Sequence, residues 1–221
     1  MRNLRHLSFL AALGLSLLGW MPLSAVPEAR AVDEAERARL EALRRGTVAE
    51  RVDALGWLAE NGHQSGVGAI VISLRDSDEG VRRLAESTLW VIWSRSGIER
   101  VDEMLKFGGY LMANGRLWQA VAIFDEVISE MPKFAEGYNK RATAWYLLGK
   151  YQYSLKDIQL TLERNPYHFG ALSGAGYCMI RLEKMQEALG YLKRALKINP
   201  NLKGVEELAT GIERGLVRKA I

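Results

Sequence analysis

Pro132, Pro166 and Pro200 follow one another at intervals of 34 residues. A fixed period of that size marks a stacked helical unit that cannot bury its apolar face alone and needs neighbours to do so. Phasing the chain on these prolines gives three units, residues 101–134, 135–168 and 169–202. Each reads as two amphipathic helical stretches with a break near its middle, at Gly115, Gly149 and Glu183. The period therefore predicts an all-α chain. With 48% hydrophobic and 25% charged residues over 221 positions, the composition is that of a folding chain and not of a disordered tail.

Within the phase, small residues recur where two helices must cross closely. Gly108, Ala142 and Gly176 hold one such position, Ala120, Ser154 and Ala188 a second, and Val127, Thr161 and Ala195 a third. Large apolar residues, Phe124, Ile158 and Leu192, hold the position between them. This pattern resembles the tetratricopeptide repeat. Two positions depart from it: the usual tryptophan is replaced by Met104, Tyr138 and Leu172, and a usual leucine by Arg141 and Ala175. After the third unit, Val205, Leu208, Ile212 and Leu216 form one helical stripe within residues 203–221, the capping helix that a solenoid end requires.

Residues 32–100 carry a different signature. Val67, Ile70, Val71 and Leu74 repeat at helical spacing, an acidic turn spans residues 76–80, and Val81 restarts the pattern. This segment resembles a HEAT repeat, which implies that the turn caps the next helix and that the valine points inward. No Pro/Ser/Gly-rich linker separates the two regions, so the expected fold is a right-handed α-solenoid in which HEAT-like helices continue into three tetratricopeptide units through a shared helix at residues 98–113.

Residues 1–31 read as a signal peptide. Arg2 and Arg5 precede an apolar run at residues 7–18, and Ala29-Arg30-Ala31 fits a small-residue cleavage site. A retained anchor is the alternative, but 17 residues interrupted by glycine, serine and Pro22 are short for a span. The expected location is a bacterial periplasm, or a thylakoid lumen in a photosynthetic source, with no stable membrane span after cleavage. Cleavage removes three arginines and one glutamate, which lowers the net charge from +4 to +2 and disfavours nucleic acid as a partner.

The sequence offers no nucleophile elbow, phosphate loop or zinc motif, so the reading is not an enzyme, with no cofactor and no metal. The three histidines are scattered, and Cys178, the single cysteine, is expected to pack in the interior. Gly174 and Gly176, within the glycine-rich stretch at residues 170–176, are assigned to helix packing and not to a phosphate loop. The resemblance implies that the concave groove is lined by the first helix of each unit, giving Asn139, Thr143, Tyr146, Ser173, Tyr177 and Arg181 as partner-binding candidates. Asparagine suits an extended backbone, tyrosines cover side chains and Arg181 suits a carboxylate. The lysines and asparagines with which some cochaperones grip a terminal carboxylate are missing, their places taken by Leu105, Gly109, Gly170 and Gly174. Trp90 and Trp118 are either packing residues or exposed anchors. The expected function is a protein-binding scaffold or adaptor in assembly of an envelope or lumenal complex; the alternatives are a regulator of one soluble enzyme, or a binder of peptide or glycan fragments.

Overall fold

A computed structural model describes residues 34–220, so the signal-peptide reading of residues 1–31 lies outside the described residues. Eleven α-helices are described: α1 Glu34–Arg45, α2 Val48–Asn61, α3 Val67–Ser73, α4 Glu79–Trp93, α5 Glu99–Ala113, α6 Leu117–Glu130, α7 Ala135–Leu147, α8 Tyr151–Arg164, α9 Phe169–Arg181, α10 Met185–Ile198 and α11 Lys203–Ala220. No strand is present among them, as the period requires.

From α5 onward each helix packs on its sequence neighbour, which is the solenoid expected of the 34-residue period. The phase positions do what their sizes dictate. A Cβ added at Gly108 would sit 2.4 Å from Phe124 Cε1, and one at Gly176 would sit 2.5 Å from Leu192 Cδ2. Glycine there lets the helices of one unit close on the large residue opposite. Ala120, Ala188, Val127, Thr161 and Ala195 are fully buried behind it. Gly115 and Gly149 turn the chain between paired helices at φ +73°, and Glu183 adopts the same left-handed conformation at φ 60°. The break in the third unit is therefore built like the others but carries the strain of a side chain.

Arg141, which stands where the repeat usually has leucine, is held by carboxylates on both neighbouring helices. Its Nε and Nη2 donate to Asp157 at 2.8 and 2.6 Å, and Nη1 donates to Asp125 at 2.6 Å. The hydrogen bonds to Asp157 above all, then the one to Asp125, outweigh burial and raise the guanidinium pKa.

The first four helices form a small bundle whose local design follows the sequence reading. Asp78 Oδ1 accepts the Val81 N–H at 2.9 Å, capping α4, and Val81 points inward. Its docking differs from the expected side-by-side continuation. The bundle shares its core with the other end of the array: Leu55, Leu74, Leu89 and Trp93 join Phe169, Leu172, Leu192 and Val205, whereas α5 and α6 centre on a separate core around Leu105, Phe124 and Val127. Polar contacts follow the same seam. Asn201 Nδ2 donates to Leu74 O at 2.7 Å, Asn199 Nδ2 to Glu86 at 3.0 Å, and the Arg75 guanidinium to the carbonyls of Lys197 and Ile198. The physical reason is aromatic: Trp90 and Trp93 bury their rings against Phe169 and His168 of the third unit.

Candidate functional site

The helices α7 and α9 lie side by side with α8 behind them, and the space between them is a cleft of about 330 Å³. Asn139, Thr143 and Tyr146 form one wall, Gly174 and Tyr177 the other, and Ile158 contributes from α8. No charged residue lines it. Thr143 and Tyr177 are exposed, so the cleft opens to solvent on their side. Cys178 lies behind it, fully buried, its Sγ donating to Ser154 Oγ at 3.3 Å. Burial pushes its thiol pKa up, against the lowering effect of Ser154.

Of the six candidates, Asn139, Thr143, Tyr146 and Tyr177 meet in this cleft and two do not. Ser173 is only 7% exposed and spends its hydroxyl on Phe169 O, 2.9 Å away on its own helix. Arg181 sits outside the wall, where its Nε donates to Tyr151 Oη at 2.9 Å and its guanidinium lies 5.6 Å from the Tyr151 ring centroid. That ring contacts Tyr146, at 5.5 Å between centroids, so a cation without an ion-pair partner among the described residues stands one ring beyond the cleft. The hydrogen bond that Arg181 donates to the Tyr151 hydroxyl is the chief cause of its raised pKa.

The inner end of the groove is closed. The Trp90 ring covers Gly170 so closely that a Cβ there would lie 2.4 Å from its Cη2. Trp93 stacks on His168 with centroids 4.5 Å apart and planes 21° apart. His168 is fully buried, and its Nδ1 accepts the Ala171 N–H at 3.0 Å, which leaves the proton on Nε2 to be donated to Glu136 at 3.0 Å. Asn139 Nδ2 donates to the same carboxylate at 3.1 Å, and Lys140 Nζ stands 3.3 Å away. Burial works against ionisation of Glu136, yet the hydrogen bonds from His168 and Asn139 and the Lys140 charge outweigh it and hold the carboxyl below its usual range. Asn139 is thus part of an internal network and presents only its Oδ1 as an uncommitted acceptor. Sequence reading did not pair Glu136 with His168. The available signal was one of register: a groove position in the second unit faces the helix-capping position of the third.

Trp118, by contrast, is 61% exposed and meets the edge of Trp145 outside the cleft, at 5.6 Å. No helix among the described residues is long and apolar enough to cross a membrane.

No protein-family model matches the chain. A TPR repeat-containing protein of Rhizobium etli is 32% identical over 108 residues, which cover 49% of this chain and 53% of that protein, so the chain spans about half the relative's length. Among solved structures, the TPR domain of Sgt2 from Aspergillus fumigatus matches 56% of this chain and 83% of its own length at 16% identity and a TM-score of 0.53. The first TPR of Spaghetti (RPAP3), bound to the HSP90 peptide SRMEEVD, matches 53% of this chain and 93% of its own length at 21% identity and a TM-score of 0.51. By sequence similarity and by fold, the helix pairs from α5 onward are similar to those of tetratricopeptide repeat proteins.

Proposed function

We propose that this chain is a non-enzymatic adaptor that seats an extended segment of a partner protein in the cleft between α7 and α9. The observation that carries the reading is the cleft itself: apolar, uncharged, open beside Tyr177 and roofed at its inner end by Trp90. A segment enters from the Tyr177 side and places an apolar side chain between Tyr146 and Tyr177. Asn139 Oδ1 accepts a backbone N–H, and Arg181 favours an acidic residue or carboxyl end just outside. That a related fold carries a peptide of another protein supports this use of the groove. The closed inner end and the missing lysines argue for a different ligand register from that of a chaperone tail.

Export through the leader at residues 1–31, and a role in assembling an envelope or lumenal complex, complete the proposal. The HEAT-like reading of the first four helices belongs to it as well. Quantitative recovery of partners from the native envelope fraction tests it with the variant Asn139→Ala, Tyr177→Ala, Arg181→Ala. The expected result is normal melting and at least ~10-fold weaker recovery of a specific protein. Full recovery by a normally folded variant overturns the groove reading, and recovery of one soluble enzyme in place of a complex overturns the assembly role.

A further inference from the structure

A second cleft, of about 260 Å³, opens at the seam where the first four helices meet the loops between repeat units. Trp93 and Arg95 line it from the bundle, Lys133 from the loop after α6, and Arg164 and Asn165 from the end of α8. Three of its lining residues are cationic and none is a carboxylate. The two guanidinium groups are fixed by neutral acceptors. Arg95 donates to the carbonyls of Ala59 and Gly62, and Arg164 donates to Pro132 O and Leu160 O, each at 2.8 Å, and to Tyr138 Oη at 3.3 Å. The carboxylates in reach of the lining are Glu163, 4.0 Å from Arg164 Nη1, and Asp102, which accepts the backbone N–H of Ser96. Lys133 is exposed and forms no ion pair among the described residues.

Two neutral donors in the same wall have no acceptor among the described residues. Trp93 is only 2% exposed, and its indole N–H is buried without a partner. Asn165 accepts the Tyr167 N–H through Oδ1, while its Nδ2 is not fully buried and donates to no described residue. A buried donor without an acceptor is costly, and polar groups in native interiors are nearly always matched. A lining with two fixed guanidinium groups, an unpaired lysine, a buried indole donor without an acceptor and no carboxylate is complementary to a compact group of oxygen acceptors.

We propose that the seam cleft binds a small oxyanion, a carboxylate or phosphate group on a low-molecular-weight ligand. Trp93 Nε1, Asn165 Nδ2 and Lys133 Nζ donate to its oxygens, and Arg95 and Arg164 supply charge from fixed positions. Because the walls belong to both sides of the seam, occupancy ties the first four helices to the repeats and stabilises their docking. The site is separate from the α7–α9 cleft, and the inference stands or falls independently of the peptide reading.

The test uses the full chain with ¹⁵N-labelled indoles, the Trp93 resonance being identified by its loss in Trp93→Phe. Succinate and inorganic phosphate are titrated separately, with sodium chloride at matched ionic strength as the control. The expected result is a saturable shift of the Trp93 indole resonance with at least one of the two probes, accompanied by a rise in Tm. Which probe acts identifies the carboxylate or the phosphate. Lys133→Ala, at an exposed position, and Asn165→Ser are each expected to weaken binding ~3- to 10-fold. The proposal is overturned by the absence of a saturable shift up to ~50 mM of either probe. An equal shift with sodium chloride, or binding that both variants leave unchanged, overturns it too.

Discussion

Gly170 is the position where one added side chain reports on the whole docking of the first four helices. A Cβ built there lies 2.4 Å from Trp90 Cη2 and 3.2 Å from Cζ2, inside the 3.4–4 Å of ordinary contact. The indole has little room to retreat, since Trp93 and Phe169 each stand 5.3 Å from it, centroid to centroid, and His168 stands at 5.4 Å. Overpacking of this kind costs ~1–3 kcal/mol, and valine offsets little of it through helix propensity. Gly170→Val should therefore lower Tm by roughly 3–10 °C. Hydrogen exchange should accelerate in α1–α4 more than in α5–α8, because the clash acts on the seam and not on the repeats. Removing the obstacle supplies the control. In a Trp90→Ala background, Gly170→Val should cost less than ~1 kcal/mol, a coupling of ~1–2 kcal/mol read from urea unfolding by far-ultraviolet circular dichroism. Additive effects, or a Gly170→Val chain as stable as the parent, would refute the docking of Trp90 on the third unit.

Three further outcomes follow from particular residues. Arg141→Leu restores the residue usual in the repeat but strands Asp157, whose side chain is 5% exposed, so urea unfolding should show a loss of ~3–5 kcal/mol, most of it recovered in Arg141→Leu, Asp157→Leu. Glu183→Gly relieves a side chain held at φ 60° and should raise stability by up to ~1 kcal/mol, or ~2–4 °C in Tm; an unchanged or lower Tm contradicts the strain. The Glu136 carboxyl is held below its ordinary value of 4.5, so its contribution is complete above that value and is lost as pH falls through the lower folded-state value; acid titration of stability should show a shallower loss in Glu136→Gln than in the parent.

The repeats were legible because their signal is a period: Gly108, Ala142 and Gly176 read as one position only once the prolines set the phase, and each lies where a helix crossing needs it. The cap on α4 was legible for a similar local reason, Asp78 standing three residues before Val81. The docking of the bundle was not, since it depends on contacts such as Asn201 with Leu74 and Trp90 with Gly170, which join residues far apart in sequence without any period to announce them. The same long-range packing explains the partial success at the groove. Tyr146 and Tyr177 lie toward the open end and line the cleft, whereas Ser173, at the position equivalent to Asn139, is buried. Glycine at 170 has no period to announce its role, which is to receive an indole from the first four helices.

The central claim, that a partner segment lies between α7 and α9, is tested most directly by photo-crosslinking in the native host. A photoreactive residue in place of Thr143, exposed in the cleft wall, is compared with the same residue in place of Trp118, exposed outside it. The linked peptides are identified by mass spectrometry. The account predicts adducts at position 143 to one extended segment of a partner protein, weakened when Tyr177→Ala is added. Adducts to a partner at position 118 alone, or adducts at 143 that Tyr177→Ala leaves undiminished, would contradict it.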